Sequence, residues 1–350
     1  MNARAIPTRR RPVAVDLFSG CGGLTLGLKQ AGFRVAGAIE IEDVAAKTYR
    51  MNHRATQLWQ GDIREIPATA VLRAIGLARG ELDLLAACPP CQGFSTIRTR
   101  NRKNSVSDDR NDLIFEVARF ARVMRPRAIM MENVPRLMHS HRFRRLVTIL
   151  RSIGYECESR VLDAADYGVP QRRRRMILVC IRGGRPMFAR ESNARVSVRD
   201  AIGHLADPSD STDELHRIDR RHSARVLRLI ERIPKDGGSR SALEESVLRC
   251  HQDFDGFRDV YGRMNWAKVS PTITGGCVNP SKGRFLHPAR DRAISLREAA
   301  LLQSFPLRYK FSLDRGIYSA AQMIGNALPP EFIRRHAAAI RQALRESSQS

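Results

Sequence analysis

A cysteine that follows two prolines is the residue of this chain best suited to covalent chemistry. Cys91 stands in the segment PPCQGFS (89–95), directly after the short apolar run at 82–87. The run predicts a buried strand, and the two prolines end it. Open α/β sheets bind their ligands at the carboxyl ends of strands, so Cys91 is predicted to lie in a binding crevice as a nucleophile.

Cys91 also forms a C-x-x-C pair with Cys88, a spacing found in redox and zinc sites. Neither site is favoured, because the chain has no second C-x-x-C and a doubled proline is uncommon in both roles. The seven cysteines are scattered and odd in number, which argues against a disulfide framework and favours a reducing cytoplasm. We therefore predict a catalytic thiol and no metal site.

A glycine-rich turn near the amino terminus indicates a nucleotide-like ligand. The apolar run at 12–18 predicts the first strand, SGCGG follows at 19–23, and apolar residues at helical spacing continue to Ala31. Glycines in such a turn let backbone N–H groups approach a ligand, although an ordinary tight turn is the alternative. Thr25 stands where the dinucleotide fingerprint has its third glycine, and the chain has no P-loop.

Two acids follow this turn at positions that suit an adenosine. Glu40 ends a second apolar run about twenty residues beyond the turn, where an acid can bind the hydroxyls of a ribose. Asp62 closes a third unit and can accept from an adenine amino group. Each acid alone is more often a solvated surface charge, but together with the turn they predict an adenosine-containing ligand bound without a phosphate motif.

The composition indicates a polyanionic partner. The 350 residues include 60 Lys and Arg against 36 Asp and Glu, which gives a formal net charge of +24 and a pI near 11.0. Such an excess favours nucleic acid over the alternative, a solvated surface in an arginine-rich proteome. Hydrophobic residues make up 43% of the chain, enough for real cores, yet no apolar run reaches the roughly 18 residues that span a membrane.

Further predicted elements bring later residues towards the crevice. A polar, basic loop at 95–112 follows Cys91 and is predicted to act as a mobile lid or a grip on nucleic acid. In the segment QRRRR (171–175), strand alternation places Arg173 and Arg175 on one face. The other predicted elements are helices at 113–123, 141–153, 295–305 and 330–344, and strands at 127–131, 176–181 and 271–274, the last followed by a turn.

Six sequence blocks resemble those of the DNA cytosine-5 methyltransferases. They are DLFSGCGG (16–23), PPCQGFS (89–95), ENV (132–134), QRRRR (171–175), HP with a later RE (287–288 and 297–298) and GNALPP (325–330). One block would be weak, but all six occur in the family's order and extend over residues 16–330. The chain is therefore similar to that family along most of its length.

The resemblance implies an α/β fold: a Rossmann-like S-adenosylmethionine-dependent methyltransferase sheet with a second, smaller target-recognition domain. We expect the catalytic domain at 1–185 plus 319–350, the target-recognition domain at 186–290 and a hinge at 291–318. Residues 182–270 have shorter apolar runs and more Asp, Ser, Arg and His, which agrees with a separate domain there. DNA would lie in the cleft between the two domains.

The resemblance also implies roles for single residues. Cys91 would be the nucleophile, Glu132 the acid on cytosine, and Arg173 and Arg175 contacts to the base or the backbone. S-adenosylmethionine would be bound by Phe18, Ser19, Gly20, Cys21, Gly23, Glu40, Ile41, Asp62, Ile63, Pro90, Leu113 and Asn326. DNA would be contacted by Gln92, Ser95, Arg98, Arg173 and Thr272. Apart from the resemblance, Arg258, Arg263 and Lys268 are our hypothesis for the base-reading residues, because they lie beside the aromatic residues at 254–266. His287 is expected to be structural rather than a metal ligand.

The residue types suit this chemistry. A thiolate that adds to C6 of cytosine makes C5 able to attack a sulfonium methyl group, and a carboxyl group at N3 that holds or shares a proton relieves the charge on the ring. The target carbon is inaccessible inside a duplex, so the base must be flipped out. Gln92 and residues 96–111 are candidates for filling the gap.

Two rival functions are weighed against this one. RNA methylation is disfavoured, because tRNA-directed relatives lack a large recognition region and carry a Cys-Phe-Thr signature that is absent here. A non-catalytic DNA-binding regulator is disfavoured by the presence of both Cys91 and Glu132. We expect a cytoplasmic, nucleoid-associated bacterial modification enzyme, monomeric and without a membrane partner. Double-stranded DNA would be its partner, and a cognate restriction endonuclease would act separately.

Overall fold

The structure is a computed structural model that describes residues 10–90, 112–217, 222–243 and 259–347. Its strands are β1 (Val13–Leu17), β2 (Arg34–Glu40), β3 (Gln57–Gln60), β4 (Leu84–Ala87), β5 (Ala128–Asn133), β6 (Tyr155–Asp163) and β7 (Arg174–Arg182). Within the described residues they form one sheet in the order β3-β2-β1-β4-β5-β7-β6. β1 to β5 run parallel, and β7 is antiparallel to both β5 and β6.

The strand order reverses at β1, which creates a crevice there. From β1 the chain moves outward to β2 and β3, and it then returns to β4 on the other side of β1. Ligands of open α/β sheets bind beyond the carboxyl ends of the strands at such a reversal. Phe18 follows β1, Cys88 follows β4, and the Cys88 amide donates to the Leu17 carbonyl oxygen at 3.2 Å. The segments predicted to carry the cofactor and the nucleophile are therefore adjacent.

The helices of the described ranges confirm the predicted α/β pattern. They are α1 (Gly23–Gln30), α2 (Asp43–Asn52), α3 (Ala68–Ala74), α4 (Ile114–Met124), α5 (His141–Ser152), α6 (Val198–Ile202), α7 (Glu214–Arg217), α8 (Ala224–Arg232), α9 (Leu296–Leu302), α10 (Gly316–Asn326) and α11 (Pro330–Glu346). None of these helices has the length and apolar character needed to cross a membrane.

Helices cover both faces of the sheet, as parallel strands require. α3, α4 and α5 pack on one face through a cluster that includes Val71, Phe120 and Leu146. α1 and α11 pack on the other face through Leu28 and Phe332. β1 and β4 are buried along their whole length. Packing on both faces therefore holds the carboxyl ends of these two strands in place.

A second core lies outside the sheet. α6, α9 and α10 contribute to it together with Ile273, Phe305 and, from the glycine turn, Cys21. α8 forms a smaller cluster with Tyr261 and Leu286. Because the second core draws on residues from the turn as well as from the C-terminal third of the chain, the predicted domain boundaries stay predictions.

Arg263, predicted to read a base, is fully buried instead. Its guanidinium donates at 2.6–3.1 Å to four carbonyl oxygens, those of Ile230, Ile233, His287 and Arg290. The prediction is wrong because the N–H donors of this arginine bind the Asp291 carboxylate and carbonyl groups at the end of α8 and in the loop at 287–290, which would otherwise lack a donor.

The predicted strand at 271–274 is also wrong. Ser270 makes a single bridge with Gln171, and Pro271 has no N–H to donate to a neighbouring strand. The amide of Ile273 donates to the side-chain Oε1 of Gln171 at 2.9 Å. A glutamine side chain thus takes the place of a strand partner, and the segment stays outside the sheet.

Candidate active site

Three side chains from neighbouring strands meet on one face of the sheet. The register of β4 and β5, continued by one residue, places Cys88 beside Glu132. β7 pairs Ile177 with Glu132, and Arg175 lies on the same face two residues earlier. The buried Glu132 carboxyl group has its Oε1 2.8 Å from Arg175 Nε, and its Oε2 accepts from the Cys88 thiol at 3.0 Å. A carboxyl group is thus held from both sides at the crevice.

The segment that leads to the predicted nucleophile is tied to β5. Asn133 is buried, and its Nδ2 donates to the carbonyl oxygen of Pro89 at 3.0 Å. The Asn133 Oδ1 accepts from the amide of Val134 at 2.8 Å, which holds the side chain in this orientation. The predicted residues Cys91, Gln92, Ser95, Arg98 and Arg258 lie outside the described residues. The described part of the site therefore ends at Pro90.

The two arginines predicted to share a face have different surroundings. Arg175 is half-buried and contacts Glu132. Arg173 is buried, and its guanidinium donates to the carbonyl oxygens of Ile273 and Gly325, each at 3.0 Å. Because the Arg173 side chain is buried and bonded inside the protein, the structure does not support its predicted DNA contact. It joins the start of β7 to the loop at Ile273 and to the end of α10.

Three other residues singled out from the sequence have different surroundings. The Thr272 hydroxyl, predicted to contact DNA, donates to the carbonyl oxygen of Arg172 at 2.7 Å. Lys268 is exposed, so its predicted contact with a base stays a prediction. His287 has the expected structural role, because its Nδ1 accepts from the amides of Ala289 and Arg290 at 3.2 and 3.0 Å.

Glu40 organises the cofactor side of the crevice. Its Oε2 accepts from the Gly20 amide at 2.7 Å, and its Oε1 accepts from the amides of Ile41 and Glu42 at 2.9 and 2.8 Å. Burial raises the pKa of Glu40, and these backbone hydrogen bonds oppose the rise. The carboxyl group therefore links the glycine turn after β1 to the end of β2.

Most glycines of the turn serve packing rather than ligand access. A Cβ atom at Gly23 would lie 2.5 Å from the carbonyl oxygen of Leu328, and one at Gly22 would lie 2.4 Å from Nε2 of His53. At Gly20, where φ is +54°, a Cβ would meet no described atom within 4 Å. Gly20 thus faces open space, whereas Gly23 allows a close approach between α1 and the loop before α11, and its predicted cofactor contact stays a prediction.

Asp62, predicted to accept from an adenine amino group, is engaged by its neighbour. Both carboxylate oxygens accept from the Arg64 side chain, and Oδ1 also accepts from the Arg64 amide at 2.9 Å. These hydrogen bonds lower the pKa of Asp62. The remaining predicted cofactor residues differ in exposure: Ile41 and Asn326 are exposed, Phe18, Pro90 and Leu113 are half-buried, and Ile63 is buried.

A buried polar network that sequence reasoning missed lies beneath the turn. Asp16 Oδ2 accepts from Thr25 Oγ1 at 2.6 Å, and Thr25 Oγ1 lies 2.8 Å from the Tyr49 hydroxyl. Burial raises the pKa of Asp16 to about 7, and the charge of Glu40 adds to the rise. From the sequence, Thr25 is only the residue that replaces the third glycine of the dinucleotide fingerprint. In the structure it links β1 to α1 and α2. An acid inside the apolar strand run PVAVDLF is the sequence signal that points to this network.

The carbonyl groups of the turn are held by residues distant in sequence. The Tyr309 hydroxyl donates to the Cys21 carbonyl oxygen at 2.6 Å, and His53 Nε2 lies 3.1 Å from the Gly22 carbonyl oxygen. Burial lowers the pKa of His53 to about 3, which leaves the ring neutral at neutral pH. The Cys21 thiol faces the second core, 3.7 Å from the Met323 carbonyl oxygen. Its side chain therefore does not support the predicted contact with the cofactor.

Comparison with known proteins identifies the family. The sequence model of the C-5 cytosine-specific DNA methylases matches residues 13–342. The chain is 36% identical over 331 residues to the Type II methylase M.HgiDII of Herpetosiphon aurantiacus, covering 90% of this chain and 91% of that protein. This chain belongs to the C-5 cytosine-specific DNA methylase family.

Two further comparisons agree with this assignment. The methylase is 30% identical over 379 residues to the Type II methyltransferase M.XorII of Xanthomonas oryzae pv. oryzae, covering 96% of this chain and 86% of that protein. A solved structure of a prophage-encoded DNA modification methyltransferase of E. coli matches it with a TM-score of 0.74 at 23% identity, covering 95% of this chain and 99% of that one. The latter match shows a shared fold.

As a member of this family, the methylase is a DNA (cytosine-5-)-methyltransferase, and its cofactor is S-adenosylmethionine. The residues around the turn fit that cofactor. The Ser19 hydroxyl is buried and has no hydrogen-bond partner within the described ranges, so it can serve a polar group of a ligand. Glu40 accepts three backbone N–H groups, and the roughly four lone-pair sites of a carboxylate leave one for a ribose hydroxyl. Ile41, 58% exposed, offers an apolar surface beside it.

Proposed function

We propose that this methylase transfers a methyl group from S-adenosylmethionine to C5 of a flipped-out cytosine in a specific double-stranded DNA sequence, through a covalent bond between Cys91 and C6. The observation that carries the proposal is the Glu132 carboxyl group, held by Arg175 and Cys88 beside the segment that leads to Cys91. The Type II names of the relatives support a modification role, with a restriction endonuclease acting separately. The enzyme would act as a monomer.

The residues of the site have distinct roles in this reaction. The Cys91 thiolate forms a bond to C6, and the electron pair displaced from the C5–C6 double bond makes C5 nucleophilic. Glu132 contacts N3 and holds or shares a proton there, which relieves the charge that builds on the ring. Bound S-adenosylmethionine supplies the electrophilic methyl group. A base such as water then takes the C5 proton, the C5–H electron pair re-forms the C5–C6 double bond, and the C6–S bond breaks so that Cys91 leaves as a thiolate.

The DNA contacts of the proposal come from both parts of the molecule. Flipping a base costs a few kcal/mol, which contacts with the pocket and with the opened strand must offset. Gln92 and residues 96–111 are proposed to fill the gap, and Ser95 and Arg98 to contact DNA nearby. Residues 186–290 are proposed to read the sequence, with Lys268 exposed among them. The smaller cluster around α8, whose buried members all lie within this range, supports a separate packing unit in this region.

Covalent trapping tests the proposed nucleophile. DNA with 5-fluorocytosine at the target should form a stable adduct with the wild type in the presence of S-adenosylmethionine, because fluorine at C5 blocks the final elimination. Cys91→Ser should abolish turnover and trapping while leaving DNA binding nearly intact, since the change is nearly isosteric. An adduct that maps to another cysteine would refute the assignment, and methyl transfer to tRNA but not to DNA would favour the RNA rival.

A domain exchange tests the proposed recognition region. When residues 186–290 are replaced by those of a relative that methylates a different DNA sequence, this enzyme should acquire the sequence specificity of the relative, as measured by bisulfite sequencing. An active chimera that still methylates the original recognition sequence would mean that residues outside 186–290 determine the sequence specificity. Binding of duplex DNA by the wild type without any methylation would favour a non-catalytic regulator.

A further inference from the structure

The contact between Cys88 and Glu132 follows from the arrangement of the strands. Successive residues of a strand point to opposite faces, so Cys88 shares a face with Leu84 and Ala86, both buried under α1 and α11. Continuing the parallel register of β4 and β5 brings Cys88 next to Glu132 on that face. The Cys88 thiol donates to Glu132 Oε2 at 3.0 Å, and the Cys88 amide is held by the Leu17 carbonyl oxygen.

The two oxygens of Glu132 have donors of unequal strength. Oε1 faces the guanidinium of Arg175 at 2.8 Å, a charge-assisted contact that is hard to displace. Oε2 faces a thiol, which is a weak hydrogen-bond donor. A weak donor orients the oxygen yet competes little for its lone pairs. Oε2 is therefore the oxygen that can take up the proton it shares with N3 without loss of a strong bond.

We propose that Cys88 is a positioning residue for the methyl-transfer reaction: its thiol holds Glu132 Oε2 in the orientation that meets N3 of the flipped cytosine. The inference deepens the proposed function and rests on it. Cys88 also lies three residues before Cys91, and the following Pro89 carbonyl oxygen is bonded to Asn133. The thiol and this amide together attach the segment that leads to the nucleophile to the strand that carries the acid.

Two substitutions at Cys88 and a matched control test the proposal. Cys88→Ala removes the donor and should lower the single-turnover rate on target DNA about 5- to 10-fold, the scale of one hydrogen bond, with little change in the KM for DNA. Cys88→Ser keeps a donor and should recover most of the rate. Cys157→Ala is the control, because Cys157 is also half-buried but lies on the edge strand β6. Its rate should equal that of the wild type.

The pH–rate profile separates positioning from simple packing. A hydrogen bond to a carboxylate favours its charged form, so loss of the thiol donor should move the midpoint of the pH–rate profile to higher pH in Cys88→Ala. It should move to lower pH in Cys88→Ser, since a hydroxyl is the stronger donor. A packing role would lower the Tm of both variants and leave the midpoints where they are in the wild type.

The outcomes distinguish this inference from the function on which it rests. If the wild type traps 5-fluorocytosine DNA but Cys88→Ala has the wild-type rate and midpoint, the positioning role is overturned and the proposed function stands. If the wild type neither methylates nor traps DNA, the proposed function fails and the inference with it. Should Cys88→Ala fail to fold, the midpoint of Cys88→Ser decides: a shift to lower pH supports the role, and an unchanged midpoint overturns it.

Discussion

The Nε atom of Arg175 lies 2.8 Å from Oε1 of Glu132, although their strands run in opposite directions. β5 and β7 pair Glu132 with Ile177, so Arg175 reaches the carboxyl group diagonally, two residues earlier along β7. The antiparallel strand of an otherwise largely parallel sheet thus supplies the cationic partner of the proposed acid. Its orientation decides which arginine of the QRRRR block can do so.

Replacing Arg175 should reduce catalysis more than DNA binding. Arg175→Gln removes a charge-assisted hydrogen bond worth about 1.5–3 kcal/mol, which corresponds to a roughly 10- to 150-fold lower kcat. Arg174→Gln is the matched control, because Arg174 is exposed on the opposite face of the same strand. Single-turnover kinetics and a DNA-binding titration measure the two effects. Equal losses of rate in both variants would contradict the specific role of Arg175.

Replacing Glu40 should weaken cofactor binding. Glu40→Gln loses the carboxylate that accepts from the Gly20, Ile41 and Glu42 amides, so the affinity for S-adenosylmethionine should fall by about 1–3 kcal/mol. Glu42→Gln is the control, because that side chain is exposed and should leave affinity nearly unchanged. Isothermal calorimetry gives both values. Wild-type affinity in Glu40→Gln would exclude this carboxyl group from the cofactor site.

Replacing Arg263 should destabilise the fold rather than relax sequence choice. Arg263→Met leaves the carboxylate of Asp291 and four carbonyl groups, three of them buried, without their donor, a change that should cost about 3–5 kcal/mol, the scale of a broken buried ion pair. Arg232→Met, an exposed residue of α8, should have little effect on the free energy of unfolding. Urea denaturation measures the free energy of unfolding, and bisulfite sequencing identifies the DNA sequence that is methylated. If the Arg263→Met variant is stable but methylates DNA with relaxed sequence specificity, the interpretation of Arg263 as a base-reading residue would be restored.

Asp16 should make stability fall as the pH rises. Its pKa is about 7 in the folded protein and 3.8 in the unfolded chain, so between these values the folded state keeps a proton that the unfolded state has released. The stabilisation is complete below about pH 4 and is lost as the pH approaches and passes 7, with a total of roughly 4 kcal/mol. Asp16→Asn should lack this loss.

The difference between the two denaturation series isolates this group. The free energy of unfolding of the wild type minus that of Asp16→Asn should decrease from pH 4 to pH 8. A flat difference would mean that Asp16 titrates as a solvated acid in the folded protein.

The sequence by itself determined the features that depend on local patterns. Apolar runs that end in glycine or proline located the strands whose carboxyl ends form the crevice, and alternation placed Arg173 and Arg175 on one face. The six ordered blocks identified the family, because side-chain types at short spacing are visible without any knowledge of the fold. The positions of α1, α4, α5, α9 and α11 also followed, since their apolar periodicity is local, whereas α2, α3 and α10 were not predicted.

Only the tertiary structure decided which of these side chains are available. Arg173 and Arg175 are equivalent by alternation, but the carbonyl groups that bury Arg173 come from residues 100 and 152 positions away. Arg263 is a charged residue that is expected at the surface from its type alone. It is fully buried because segments distant in sequence converge on its guanidinium. Burial likewise raises the pKa of Asp16. A local pattern fixes the direction of a side chain, whereas its partners and its solvent exposure depend on segments that meet only when the chain folds.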